Sequence, residues 1–338
     1  MRMAVIGAQH PHIISIAHEA ASEPDIELVA LAEPQDDLRE TLSKELGVRG
    51  VADYRELLDA GSIDAAALAP INNEKGRIAN ACLEAGVHVL VDKPALTTLE
   101  DLARVEQTLE AGKAIFYCAL TLRFAPPYIL AKQAIERGEI GTVTSSMAQR
   151  PHKLGMLRRP DWFFSREQNG GVLLDLAIHD IDAVRWLHGA EPVSVSAAHG
   201  AARFTEHADF TDHAEAWLRL ADGSSAFVKG SWLTPDGAPW HGDCRCFVEG
   251  TKGYLVIRTT AENSLLVNAG GETRTISDFE HQDAIDQTNT MRALLRDFVA
   301  VTEGRSDTVL TSEDVIESHR WALLARQAAD SGELVRYP

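Results

Sequence analysis

The chain has 338 residues, of which 45% are hydrophobic and 24% charged, and its formal net charge is -18. So acidic a surface would repel nucleic acid and anionic membranes, and we exclude both as partners. The length predicts two domains, and no apolar stretch or N-terminal signal predicts a membrane span or export. We expect a cytoplasmic protein whose cysteines, Cys82, Cys118, Cys244 and Cys246, are reduced and buried.

Residues 1–120 alternate short aliphatic strands with amphipathic helices. This alternation predicts a Rossmann-type, doubly wound parallel sheet, in which ligands bind at the carboxyl ends of the strands. The predicted strands are Met3–Ile6, Glu27–Ala32, Asp64–Ala69, His88–Val91 and Ala114–Cys118, and the predicted helices lie near Ile13–Ser22, Gln35–Leu46, Tyr54–Asp59, Lys75–Ala85 and Leu99–Ala111.

The loop after the first strand reads GAQHPH and begins at Gly7. Gly7 can make the tight turn of a dinucleotide-binding loop, but Gln9 and His12 replace the second and third glycines of the usual fingerprint. The next helix can offer its N-terminal dipole to a phosphate, and His10 or His12 can add a donor. We therefore predict that Gly7, Gln9, His10 and His12 contact a cofactor through an altered loop.

An acidic residue, Glu33, closes the second strand. It can accept hydrogen bonds from the adenosine ribose and repel a 2′-phosphate, which favours NAD over NADP, although a surface glutamate would look the same. The other predicted cofactor contacts at strand ends are Pro70, Asp92, Lys93 and Pro94. A lysine at a strand end is also common as a solvated charge.

Residues 121–338 predict a second, α+β domain with a large, mostly antiparallel open sheet, because period-two alternation replaces the βαβ pattern. Asp222-Gly223 predicts a hairpin turn, the helix Asp175–Trp186 would cover one face of the sheet, and a final helix near 312–330 would pack back on the body. The predicted strands are Thr142–Gln149, Pro192–Ala198, Ala214–Leu220, Ser225–Ser231, Asp243–Glu249 and Gly253–Arg258.

The stretch NGGVLLDLAIHDID places polar residues on an otherwise apolar helix. At about 100° per residue, Asp175, His179, Asp182 and Trp186 share one stripe. Buried carboxylates and imidazoles are costly unless they are paired or functional. The stripe is therefore either an internal network, with Asp175 as a helix N-cap and His179 as a core histidine, or the wall of an active site.

The loop 151–169 contains Arg158, Arg159 and Trp162, which suit a sugar or polyol but would also suit a protein interface. A metal could be held by His179, Asp182 and another histidine, but no pair of ligands has a diagnostic spacing. We therefore predict no metal.

Together these motifs resemble the Gfo/Idh/MocA family of oxidoreductases, named for glucose-fructose oxidoreductase and inositol dehydrogenase. Asp92-Lys93-Pro94 is similar to the family's Glu-Lys-Pro motif, and the resemblance covers nearly the whole chain. Ile71 and Glu74 depart from the family's usual asparagine and histidine, where the family contacts its cofactor. The second motif, a glycine pair followed by Asp, His and Asp, is matched by Gly170, Gly171, Asp175, His179 and Asp182.

The resemblance implies that a hydride passes between NAD, or less favourably NADP, and a sugar, polyol or related hydroxy compound. It implies His179 as general base, Lys93 as the cation that stabilises oxyanion charge, and Asp175 as the group that orients them. The predicted substrate contacts are Lys93, Arg123, Trp162, Asp175, His179 and Asp182.

Two other functions are compatible with this fold: a lyase or glycosidase that retains NAD, and a non-catalytic ligand sensor. Lys93, Asp175 and His179 together argue against the sensor, whereas the altered glycine loop favours it. Because a large exposed apolar sheet face is rare in a soluble monomer, we also expect a homodimer or homotetramer formed through the second-domain sheet.

Overall fold

The computed structural model describes residues 1–156, 159–260, 263–277, 290–305 and 308–337, so Arg158 of the predicted substrate loop lies outside the described residues. The chain divides into two compact units. The first unit comprises Met1–Ala119 and Asn289–His319, and the second comprises Leu120–Thr288 and Arg320–Pro338. The sequence predicts one continuous second domain. In the structure, the segment Asn289–His319 belongs to the first unit, because a helix in it packs against α1 of that unit.

The first unit contains a six-stranded parallel sheet. Its strands are β1 Arg2–Ile6, β2 Glu27–Ala32, β3 Arg49–Val51, β4 Ala65–Leu68, β5 His88–Val91 and β6 Phe116–Cys118, and its first helices are α1 His12–Ser22, α2 Asp36–Leu46, α3 Arg55–Asp59, α4 Asn72–Glu84 and α5 Leu99–Ala111. The strand order β3-β2-β1-β4-β5-β6 is that of dinucleotide-binding folds, so the predicted doubly wound sheet is confirmed. The sequence prediction missed β3, because three residues are too short to show a period.

A helix that was not predicted, α10 (Thr290–Thr302), packs against α1. Its Asp297 accepts hydrogen bonds from the Tyr117 hydroxyl and from the backbone N–H groups of Val309 and Leu310. One buried carboxylate therefore ties α10 to the sheet and to the segment that follows the helix.

The second unit contains a nine-stranded sheet. Its strands are β7 Val143–Pro151, β8 Pro192–Gly200, β9 His213–Leu220, β10 Ser225–Ser231, β11 Cys244–Gly250, β12 Gly253–Thr259, β13 Ser264–Ala269, β14 Glu272–Ile276 and β15 Val335–Arg336, in the order β14-β13-β12-β11-β7-β10-β9-β8-β15. Only β7 and β10 pair in parallel among these, which confirms a mostly antiparallel sheet. Asp222 and Gly223 form the predicted turn between β9 and β10.

The helices of the second unit are α6 Pro126–Glu136, α7 Arg166–Asn169, α8 Val172–Asp175 and α9 Ile178–His188, while α11 Ser312–Ser331 is divided between the units after His319. The predicted continuous helix Asp175–Trp186 is wrong, because the chain makes a turn at Leu176 and Ala177 between α8 and α9. Asp175 ends α8, and Ala177 occupies the N-cap position of α9, so the N-cap interpretation of Asp175 is also wrong.

One face of the nine-stranded sheet carries a cross-strand row of apolar side chains that are partly or largely exposed. Trp217 and Met147 are 46% and 45% exposed, whereas the residues alternating with them on the opposite face, such as Ala216 and Ala148, are buried. The row consists of Trp217, Phe227, Met147, Phe247 and Val256, in register on β9, β10, β7, β11 and β12.

All four cysteines are buried free thiols, as predicted, and burial raises the pKa of Cys82 to about 12. Among the described residues, no helix combines the length and apolar character needed to cross a membrane.

Candidate functional site

A cavity of about 440 Å³ opens at the carboxyl ends of β1 and β2 in the first unit. Its volume is in the range of small-ligand pockets. The structure brings together at this cavity four of the predicted cofactor contacts, and also the two residues that depart from the family pattern. These residues are Gly7, Gln9, Glu33, Pro70, Ile71 and Glu74.

Gly7 closes the loop against Pro70. Its φ of +74° lies in the left-handed region, and a Cβ atom on Gly7 would lie 2.5 Å from the backbone nitrogen of Pro70. Only glycine fits such a position without displacing the neighbouring strand end. The first glycine of the fingerprint is therefore retained for a steric reason.

Glu33 is fully buried and organises the altered loop. Its Oε2 accepts the Ala8 backbone N–H at 2.8 Å, and its Oε1 accepts the Gln35 backbone N–H at 3.0 Å and the Gln9 side-chain amide at 3.3 Å. A carboxylate offers about four acceptor sites, so one is left for a hydroxyl donor. Gln9 stands in place of a glycine, but its side-chain amide donates to Glu33 and so folds away from the loop backbone.

The other predicted loop contacts form a cluster around the buried Asp92, with His10 buried and His12 exposed. The Nδ1 atoms of His10 and His12 each lie 3.0 Å from one carboxylate oxygen of Asp92, and the Lys75 ammonium lies 3.8 Å from Oδ2. Burial alone would raise the pKa of Asp92, but His10, Lys75 and His12 hold it well below its usual range. Burial lowers the pKa of His10, and the charge of Asp92 opposes that change, while the His12 backbone N–H donates to His10 Nδ1 at 3.4 Å.

The same cluster is the one described group whose spacing could hold a metal ion, since the ligand atoms of His10, His12 and Asp92 lie within 4.8 Å of one another. Lys75 already supplies the positive charge that a cation would supply. We therefore assign the cluster to hydrogen bonding, as the mechanical link between the loop and the end of β5.

The turn that carries Lys93 is held by two residues that sequence reasoning missed. Lys75 is fully buried and donates to the backbone carbonyls of Asp92, at 2.9 Å, and Lys93, at 3.3 Å. The Ala95 N–H donates to His319 Nε2 at 2.8 Å. A signal was available, because Lys75 shares the buried stripe of α4 with Ile78, Ala79 and Cys82, where an unpaired ammonium would be costly.

Lys93 itself is 5% exposed and belongs to the first unit, next to Pro94. Asp175 and His179, which are 2% and 9% exposed, belong to the second unit. His179 lies in the first turn of α9, and the buried Trp162 lies in a short 3-10 helix, Asp161–Phe164.

Arg123 and Asp182 pair with each other. Arg123 Nη2 lies 2.7 Å from Asp182 Oδ1 and its Nε lies 3.0 Å from Oδ2, and the two side chains are 2% and 0% exposed. The guanidinium also lies 5.8 Å from the ring centroid of Trp186. Two members of the predicted polar stripe, Asp182 and Trp186, are thus engaged by Arg123 inside the unit.

A sheet in the strand order of the first unit, with a buried acid at the end of β2, is typical of folds that bind a dinucleotide. Two family models match the chain: the oxidoreductase family with NAD-binding Rossmann fold over residues 1–119, and the GFO/IDH/MocA C-terminal domain over residues 128–256. The chain belongs to the GFO/IDH/MocA family of oxidoreductases.

Named relatives are dehydrogenases and reductases of sugars and polyols. The chain is 28% identical to scyllo-inositol 2-dehydrogenase (NAD(+)) of Bacillus subtilis, over 83% of this chain and 81% of the relative. It is 26% identical to 1,5-anhydro-D-fructose reductase of Ensifer adhaerens, over 84% and 83%. A solved oxidoreductase of Erwinia carotovora is 28% identical with a TM-score of 0.88, covering 97% of this chain and 98% of that one.

The buried pair yields a stability prediction. Arg123→Met removes the two hydrogen bonds of the guanidinium to the buried Asp182, which keeps Arg185 at 4.0 Å, and it should lower the free energy of unfolding by about 3 kcal/mol in urea denaturation. Arg137→Met, which breaks the exposed pair with Glu139, is the matched control and should cost less than about 1 kcal/mol. Equal stability of the two variants would contradict the structural role of the pair.

Proposed function

We propose that this chain is an NAD-dependent dehydrogenase that interconverts a hydroxyl and a carbonyl group on a sugar, polyol or related compound. The observation that carries the proposal is the Asp92-Lys93-Pro94 turn, whose lysine is fixed at the carboxyl edge of a dinucleotide-type sheet by Lys75 and His319. Family membership and the named activities of its relatives support the same conclusion.

The cavity of the first unit fits the adenosine half of NAD, because a buried carboxylate with an acceptor site left stands where the ribose hydroxyls would bind. Glu33 and Gln9 would hold the ribose, Gly7 and the α1 N-terminus would face the diphosphate, and Pro70 would line the cavity wall. The His10, His12 and Asp92 cluster would fix the loop. When bound, NAD supplies the hydride acceptor.

We assign the chemistry to Lys93, Asp175 and His179. His179 takes the proton of the substrate hydroxyl as the carbinol carbon gives up its hydride, since an imidazole is suited to proton transfer near neutral pH. The Lys93 ammonium stabilises the developing charge on the oxygen, and Asp175 orients the base. Trp162 contributes to the substrate wall.

We assign Arg123 and Asp182 an indirect role. Their mutual pairing and near-complete burial support positioning α9 rather than touching substrate. This narrows the predicted set of substrate contacts.

We also propose a closed homo-oligomer, a dimer or tetramer, that buries the apolar row of the nine-stranded sheet. The exposure of Trp217 and Met147 supports this assembly, because such a row is unfavourable in water. A cytoplasmic location and the absence of a resident metal remain predictions from sequence.

The first prediction concerns cofactor choice. NADH should bind at least about tenfold more tightly than NADPH in calorimetric titration, because Glu33 repels a 2′-phosphate. Glu33→Gln should shrink this ratio, whereas Glu110→Gln, at an exposed acid of α5 outside the cavity, should leave it unchanged. Tighter binding of NADPH by the wild type would overturn the assignment.

The second prediction concerns catalysis. Lys93→Met and His179→Ala should each lower kcat by about 10²-fold or more, with little change in the NADH dissociation constant. The wild type should lose kcat/KM on the acid side as the base protonates. His18→Ala, at an exposed histidine paired with Glu45, is the control and should stay active. An active His179→Ala variant would show that another residue is the base.

The third prediction concerns assembly. Light scattering at micromolar concentration should report at least a dimer, and Trp217→Glu should convert it to monomer by placing a charge in the row. Leu99→Glu, at an exposed leucine of the first unit, should not. A monomeric wild type would refute the proposed interface.

A further inference from the structure

Arg159 occupies a half-buried aromatic cradle in the second unit. Its guanidinium carbon lies 4.3 Å from the ring centroid of Phe163 and 4.9 Å from that of Trp232. Phe163 and Trp232 are 1% and 3% exposed, and their rings meet edge to face at 5.6 Å. The cradle therefore fixes the plane of the guanidinium by stacking.

The edge of this guanidinium is left open. Arg159 Nε donates to the Leu154 carbonyl at 3.0 Å, while in the described part of the chain neither terminal nitrogen of Arg159 makes a hydrogen bond or ion pair. An arginine offers five N–H donors in a fixed fork, so most of its hydrogen-bonding capacity remains available. Arg123 shows the contrast, since its fork is closed on Asp182.

Beside the aromatic cradle, the backbone N–H of Lys153 donates to the backbone carbonyl of His241 at 2.8 Å. Partial burial, followed by the positive charges of Arg159 and Lys153, lowers the pKa of His241. The His241 ring lies 4.4 Å from that of His152, which in turn packs edge-on against Trp232. The cradle is thus bordered by two histidines and a lysine.

Asp175 is the acid whose charge acts on Arg159. Burial lowers the pKa of Arg159, and the negative charge of Asp175 opposes that change. The helix α8, which ends at Asp175, packs against β10, and Trp232 of the cradle directly follows that strand. The open fork therefore belongs to the same part of the second unit as a residue to which we assign a catalytic role. A solvated surface arginine would not be stacked on two buried rings, and a purely structural one would have its donors satisfied.

We propose that Arg159 binds a carboxylate of the substrate, so that the hydroxy compound of the proposed function is a sugar acid, an aldonate or uronate. The inference rests on that function and specifies its substrate class. The planar fork matches the two oxygens of a carboxylate, and the aromatic and histidine side chains suit the polyhydroxy part.

The test compares matched acid and neutral compounds: D-glucuronate with D-glucose, D-galacturonate with D-galactose, and D-gluconate with D-glucitol. The wild-type protein with NAD should oxidise at least one acid with a kcat/KM at least tenfold above its neutral partner. Arg159→Met should lower kcat/KM for that acid by about 10- to 100-fold, through KM, with less than about threefold effect on the neutral partner. Arg159→Lys keeps the charge but loses the planar fork, and its kcat/KM for the acid should lie between those of the wild type and Arg159→Met.

Arg137→Met removes an exposed charge from the same unit and should leave the acid preference unchanged. Calorimetric binding of each compound to the NADH-loaded protein separates the proposal that Arg159 binds a carboxylate from the proposal that the chain is a dehydrogenase. NADH formation without acid preference, or an equal loss for both members of a pair in Arg159→Met, would overturn the inference while leaving the dehydrogenase intact.

Acid binding that depends on Arg159 without any NADH formation would support the inference and refute the dehydrogenase. If D-glucose 6-phosphate binds in a way that depends on Arg159 and no sugar acid does, the ligand group of Arg159 is a phosphate and the carboxylate assignment is overturned. Calorimetry in which no acid binds more tightly than its neutral partner would also overturn the inference.

Discussion

The buried carboxylate of Asp92 is the interaction on which the first unit depends. It is fully buried, and two imidazole groups at 3.0 Å and an ammonium group at 3.8 Å surround it, so an ionised acid is stable where burial alone would protonate it. His10 and His12 carry this link to the altered loop, and Lys75 carries it to α4. Of the two residues that replace glycines in this loop, His12 contacts Asp92 and Gln9 contacts Glu33. Lys75 holds the backbone carbonyls of Asp92 and Lys93 at the sheet edge.

The second unit shows two uses of arginine. Arg123 donates through Nε and Nη2 to the two carboxylate oxygens of Asp182, and both side chains are buried. Arg159 is stacked on two rings with its fork open. Arg123 is buried and Arg159 is half-buried, and the number of satisfied donors also differs. This difference separates a residue that positions a helix from one that is available to bind a ligand.

Sequence patterns predicted both sheets, because alternation and βαβ order are local properties. They missed β3 and the two-residue β15, which are too short to show a period. They also missed β13 and β14 of the second sheet, and the turn at Leu176 between α8 and α9, which has no glycine or proline to mark it. They also grouped Asp182 with Asp175 and His179, since spacing along a helix does not reveal that a distant Arg123 claims the carboxylate. The support from Lys75 and His319 was missed because it joins residues far apart in the chain.

In the proposed function, this chain transfers a hydride between a substrate carbon and NAD. The most direct measurement uses C-deuterated D-glucuronate, D-gluconate, D-glucose and myo-inositol with unlabelled NAD, followed by mass spectrometry of the nicotinamide. If hydride passes directly from the substrate carbon to NAD, each NADH formed should carry one deuterium, with an equal amount of oxidised product. Substrate consumption without labelled NADH would instead identify a lyase that recycles its cofactor. Ligand binding without any reaction would identify a sensor, and either result would contradict the account.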